Sequence, residues 1–393
     1  MTLPRSLLAM LLASTAAVVA AVPYVPKDDA AVLERLPSRP GDPVAAELRS
    51  LRAAAAAAPG DATAAARLAR RYFDLALAHG DARYVGYAEA ALRPWQGLPD
   101  APVEVLVEQG LLRQYRHDFD GALELLARAA ARDPGNVAAR SWSAAIHMVR
   151  ADYARARREC EALAPIASEL LSAGCAAYVD ATTGRARAAH ERLAAELARH
   201  PDASPGLKLW VQTRLAEMAW RLDDAPRAER HFRAALAFGL EDNFLLAAYA
   251  DFLLEQGRAL EVLPLLKERA RSDTLLLRLA LAAKALGLAE ARQHVRVLGE
   301  RFAAAALRGE RLHMGEEARY LLDLRGDARG ALAVAAENWK AQREPRDAAI
   351  LLEAALAARD PQAAAPALEW LEASGFEHGR VRRIAAHLKA LAR

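Results

Sequence analysis

The sequence predicts an all-α protein, one array of stacked helix pairs rather than a set of compact α/β domains. Three observations lead there. About a quarter of the 393 residues are Ala and only 6% are aromatic, a supply of small, strong helix formers that favours closely packed helices. No run of alternating β-branched residues is long enough for a strand. A helical outline recurs along most of the chain: HDFDGALELL at 117, RADYARARREC at 150, LDDAPRAERHF at 222 and RGDARGALAV at 325. Each copy has an Asp-bearing turn, an Ala three or four residues later, and mostly a larger apolar residue four further on.

The aligned small residues are Ala88, Ala122, Ala156, Ala189, Ala228 and Val262, with Ala331 near the end. Successive intervals are 34, 34, 33, 39 and 34. One helical turn on stand Leu92, Leu126, Cys160, Leu193, Phe232 and Leu266, on the same face as their Ala. A preceding helix carries matching small positions, such as Gly110 and Ala144. Two antiparallel helices approach closely where both present small side chains, and the larger residue fills the furrow to the next pair. A lone pair leaves one flank apolar, so the pairs must stack.

With these positions in view, the chain resembles the tetratricopeptide repeat family. The best copy runs over 103–136, with Gly110, Phe119, Ala122, Leu126, Ala129 and Pro134 at the family's signature spacing. Weaker copies extend from about Ala62 to Ser374. The family's first-helix aromatic is mostly missing, Glu196 and Arg269 replace its late small residue, and the stretches 273–310 and 346–374 are irregular in length. The resemblance implies a right-handed superhelical solenoid of about seven to nine helix pairs over 62–375. An entry helix is expected over 44–61 and a capping helix over 376–393.

The N-terminus has a different character. Arg5 is followed by no charge until Lys27, and the apolar stretch Leu7–Val22 ends in Ala20, Ala21 and Pro23. A cationic start, an apolar middle and small exit residues are the layout of an export signal. Residues 1–22 therefore read as a cleaved signal or as an N-terminal membrane anchor, since the length is at the lower limit for spanning. Residues 23–43 read as a Pro-rich linker, and the location as periplasmic. The pair Cys160 and Cys175, fifteen apart on consecutive helices, is a possible disulfide in an exported chain; the plainer reading is two small buried residues.

Chemistry is sparse. The net charge of +3 is dispersed, which gives no basic stripe for nucleic acid. No phosphate loop, nucleophile elbow, HExxH or CxxC occurs. His313 beside Glu316 and Glu317 reads as a solvated face, and His190 and His200 are ten apart and form no chelate. No cofactor, metal site or catalytic constellation is expected.

In the resembled family the first helix of each pair lines the concave side, where ligand peptides lie. That register places Tyr115, Trp142, Met148, Tyr178, Trp210, Arg214, Glu217, Trp220, Arg221, Phe244 and Tyr320 inward. Aromatic residues and Arg are frequent anchors of binding surfaces, and an Arg is suited to an acidic element of a ligand. The competing reading is that these rings fill gaps in an Ala-rich array. Lys is absent between Lys27 and Lys208 and Asn is rare, so the Lys and Asn clamp for a peptide carboxylate is not expected. The chain is thus expected to be a non-enzymatic scaffold or assembly factor of the bacterial envelope that binds a protein or peptide. The alternatives are an accessory subunit of an envelope enzyme or polysaccharide exporter, or a saccharide-acting enzyme on a superhelical scaffold. Contact with a membrane is expected only if the N-terminal segment is retained.

Overall fold

The computed structural model describes residues 28, 41–310 and 312–391. The expected signal or anchor and most of the linker lie outside the described residues. By contact the chain divides into a unit of residues 1–46 and a unit of residues 47–393. In the first, the Asp42 carboxylate accepts the amides of Val44 and Ala45 and so caps the start of helix α1 (Pro43–Ala57).

The second unit is a succession of antiparallel pairs. They are α2 (Ala62–His79) with α3 (Arg83–Leu92), α4 (Val103–Tyr115) with α5 (Phe119–Arg132), and α6 (Val137–Val149) with α7 (Tyr153–Leu163). Then come α8 (Glu169–Thr182) with α9 (Ala186–Arg199), α10 (Pro205–Arg221) with α11 (Ala225–Leu236), and α12 (Asn243–Glu255) with α13 (Ala259–Leu266). Next are α14 (Asp273–Ala285) with α15 (Glu290–Leu307), α16 (Met314–Arg319) with α17 (Ala328–Ala341), and α18 (Pro345–Ala358) with α19 (Ala365–Ser374). A π-helical turn, Tyr320–Arg325, continues α16, and a final helix, α20 (Gly379–Leu391), packs on α18. Nine pairs and no strand are present among the described residues, the upper end of the expected number.

The recurring turn has one geometry. A residue in the left-handed region ends the first helix of a pair: His117 at φ 61°, Ala151 at 58° and Asp223 at 62°. The next amide reaches back to a carbonyl five residues earlier, Asp118 to Arg113, Asp152 to His147 and Asp224 to Ala219, at 2.8–3.0 Å. That closes the first helix as a Schellman turn. The same Asp then caps the second helix by accepting from Gly121, Arg155 or Arg227. Asp327 does so for α17 through Gly330. The Asp noted in the sequence is thus both the end of one helix and the beginning of the other.

Pairs close through small side chains, as the spacing predicts. Ala122, Ala156, Ala189, Ala228 and Ala331 are all fully buried. A Cβ at Gly110 would stand 3.0 Å from the Leu126 side chain, so glycine lets the helices approach here without displacing that leucine. Leu126, Leu193, Phe232 and Leu266 are buried between neighbouring pairs. Cys160 of α7 and Cys175 of α8 are joined in a disulfide that links two successive pairs.

The last pairs fold back onto the middle ones. The Arg343 amide, between α17 and α18, donates to the Val149 carbonyl at the end of α6 at 2.7 Å. Trp370 Nε1 on α19 donates to the Tyr153 hydroxyl on α7 at 2.7 Å. Ala186, whose amide is free because it begins α9, donates to the Glu377 carboxylate at 2.7 Å. Around these contacts Trp339, Trp370 and Phe376 form the core of the C-terminal pairs.

Candidate inner-face binding site

The first helices of the pairs carry most of the residues expected inward, and the structure gathers several of them into two clusters. Phe73 of α2 meets the rings of Tyr115 at 6.3 Å and Trp142 at 5.7 Å. Arg214 of α10 lies between the rings of Tyr178 and Phe244, 4.5 and 4.6 Å from their centroids, and pairs with Glu217 at 2.9 Å. A guanidinium between two aromatic faces gains cation–π attraction on both sides. Arg346, from the start of α18, stands over Phe244 on another side at 5.9 Å and pairs with Glu344 at 2.7 Å. The Tyr178 hydroxyl donates to Glu344 at 3.4 Å, and burial raises the phenol above its ordinary range.

The remaining members are packed. Trp210 covers Gly174, where a Cβ would stand 2.3 Å from the indole. Trp220 sits edge-on to Phe252 at 6.0 Å and to His378 at 6.2 Å. Arg221 is buried over Phe376 at 5.1 Å. Met148 and Tyr320 are buried as well. Met148, Arg221 and Tyr320 therefore offer almost no open area, because the chain's own later helices or neighbouring rings cover them. Tyr115, Trp142, Tyr178, Trp210, Arg214, Glu217, Trp220 and Phe244 are half-buried.

Residues 375–378, the non-helical stretch between α19 and α20, lie against several members of this set. Phe376 takes the Arg221 guanidinium, Glu377 the free amide of α9, and His378 the Trp220 ring. Arg380 pairs with Glu353 at 2.9 Å and with Glu255 at 3.5 Å. Glu344, Arg346, Phe376, Glu377 and His378 were not among the residues singled out from the sequence. Repeat periodicity reports contacts between neighbouring pairs, and these partners are more than 100 positions away.

Charges form a ladder on the same helices. Glu108 of α4 pairs with Arg70 of α2 at 2.8 Å, and burial, outweighing that Arg, pushes its carboxyl up to about 7. Asp251 of α12 accepts from Arg278 of α14 at 2.7 Å and Arg319 of α16 at 2.5 Å. Burial alone would raise the Asp251 carboxyl, but the two guanidinium groups hold it below the carboxylate range. Glu316, read as a solvated face with His313, instead lies 3.6 Å from Arg278.

Elsewhere, Glu169, Glu196 and His200 come within reach of one another, a trio that sequence spacing hides because Glu169 is on another helix. Arg199 already pairs with both carboxylates, at 2.7 Å from Glu196 and 3.5 Å from Glu169. His190 and His231 meet at 5.2 Å between ring centroids as neighbours on α9 and α11.

The fold and this face define a helical-repeat solenoid whose first helices make the inner surface. Residues 114–172 match the model of the tetratricopeptide repeat family. That stretch is thus of the tetratricopeptide type, within an all-α array of helix pairs. No curated protein matches the chain. Among solved structures, the chain is similar to yeast Tom70, with 12% identity, 89% of this chain and 85% of that one covered, and a TM-score of 0.44. It is also similar to the APC/C hetero-tetramer Cut9–Hcn1, with 12% identity, coverage of 88% and 87%, and a TM-score of 0.40. A tetratricopeptide repeat protein from Parabacteroides merdae shares 11% identity over 82% of this chain and 98% of that one, with a TM-score of 0.33. None of the three adds to what the helix pairs themselves show.

Proposed function

We propose that this chain is a non-catalytic scaffold or assembly factor of the bacterial cell envelope that holds an extended segment of a partner protein on its inner face. One observation carries the reading: the array already receives a non-helical segment of its own, residues 375–378, through ring and carboxylate contacts of the kind a foreign peptide offers. The part of that face left open centres on Phe244 and Arg346, whose side chain is 54% exposed although it stands over the ring. A planar guanidinium on an aromatic support suits a carboxylate or a backbone carbonyl of the incoming segment. The envelope location rests on the export-type layout of residues 1–22.

The test is site-specific cross-linking. A photoreactive phenylalanine analogue at Phe244 is expected to give a defined adduct with an envelope protein, identified by mass spectrometry. The same analogue at Arg158, exposed on the outer helix α7, is expected to give none. Adducts at both positions alike, or at Arg158 alone, contradict the inner-face reading. Protein purified from periplasm is expected to begin near Val22 or to be held on the membrane by residues 1–22. Recovery of the full-length chain from cytoplasm contradicts the envelope reading.

A further inference from the structure

We infer that a second, separate site lies between α15 and the π-helical turn Tyr320–Arg325, and that it takes a peptide segment of a partner protein in which a carboxylate side chain is flanked by apolar residues. The inference rests on the reading of the chain as a protein-binding scaffold, but on none of the inner-face residues used for it except Tyr320.

The cleft has a volume of about 680 Å³. Its floor is apolar, with Val295, Phe302 and Leu321, and its rim carries Arg292, Arg296 and Arg325. The π-helical turn widens the helix by one residue where pairs elsewhere pack tightly; such turns recur at functional sites. Within the cleft the Tyr320 side chain is held against Phe302, the ring centroids 5.4 Å apart, and the residue is 5% exposed. Its hydroxyl nevertheless has no hydrogen-bond partner among the described residues. The oxygen is not sealed off, and it stays accessible from the cleft.

Gly299 makes this arrangement possible. A Cβ there would stand 2.6 Å from the Tyr320 hydroxyl, so only glycine leaves the oxygen its place beside α15. Arg296 is engaged with Glu300 at 2.6 Å and Gln293 at 2.9 Å. Arg292 and Arg325, by contrast, hold no side-chain ion pair or hydrogen bond among the described residues. Of the two acids on the rim, Asp327 is committed to capping α17. Two uncommitted guanidinium groups and a phenol beside an apolar floor complement a carboxylate set among apolar side chains.

Fluorescence anisotropy with two labelled synthetic peptides tests this on the purified full chain. One peptide alternates Glu with Leu and Phe; the other has Gln at every Glu. The acidic peptide is expected to bind at least tenfold more tightly, with the preference falling at high salt. Arg292→Gln with Arg325→Gln, both exposed and off the core, is expected to remove that preference while helical content and Tm stay unchanged. Tyr320→Phe is expected to weaken the acidic peptide several-fold, and Phe244→Ala to leave it unaffected, which separates this site from the inner face. Equal binding of the two peptides, a preference that survives the double variant, or no binding at millimolar peptide overturns the inference.

Discussion

At the scale of single residues, the same few aspartates do two jobs, ending one helix through the backbone and starting the next through the side chain. Asp118 illustrates it: its amide closes α4 and its carboxylate caps α5. Asp118→Ala is expected to cost about 1 kcal/mol, read as a lower urea midpoint with an unchanged slope. Asp251 carries more, because its removal strands two partly buried guanidinium groups. Asp251→Ala is expected to cost about 3–5 kcal/mol, and a loss under 1 kcal/mol would show the ion pairs to be surface-like. Trp210→Ala and Trp220→Ala are expected to lower stability by about 3 kcal/mol each, in line with their packing on Gly174 and Phe252. Titration adds a pH dependence with a definite sign. Burial holds His117, His231 and His378 down to about 4. Between pH 4 and 6.5 the folded chain therefore binds fewer protons than the unfolded one, so these groups contribute stability that is lost as pH falls through that window. Glu108 has the opposite sign, since its raised carboxyl loses stability as pH rises from about 4.5 to 7. His378→Gln is expected to flatten the acid side of a plot of urea midpoint against pH, and Glu108→Gln the neutral side.

At the scale of elements, the helix pairs were the most legible part of the sequence. Their small residues sit where periodicity of about 34 puts them, because each pair repeats one local contact that local sequence encodes. The π-helical turn at Tyr320 was not legible: YLLDLR reads as ordinary helix, and its widening depends on the fit against α15 rather than on its own propensities. The disulfide lay between. Spacing allowed it, and only the register of α7 against α8 brings the two Cα atoms to 5.5 Å. Replacing both cysteines by serine, or adding reductant, is expected to cost about 3 kcal/mol, measurable as a drop in Tm. An unchanged Tm would mean that the α7–α8 contact is held by packing alone.

At the scale of the second unit, stacked pairs would leave an inner face open if the array ended at its middle. The C-terminal pairs supply what closes part of it, and the expected groove becomes a partly filled surface in which Tyr178 and Phe244, either side of Arg214, contact Glu344 and Arg346. Sequence patterning singled out Tyr178, Arg214 and Phe244 and was silent on what they meet. No periodic signal links Tyr153 to Trp370 or Val149 to Arg343, contacts that depend on how many pairs accumulate before the array returns on itself. The same silence covered Glu377 at the start of α9, whose role follows only from a free amide and a carboxylate brought together across the fold.

The most direct test of this closure is hydrogen exchange at the Arg343 amide. It lies outside any helix, and its acceptor is the Val149 carbonyl nearly two hundred residues earlier. Exchange at Arg343 slowed at least a thousandfold, and released only with global unfolding, is the predicted result. Exchange at the rate of an open loop would show that the C-terminal pairs do not return to the middle of the array, and would contradict the account.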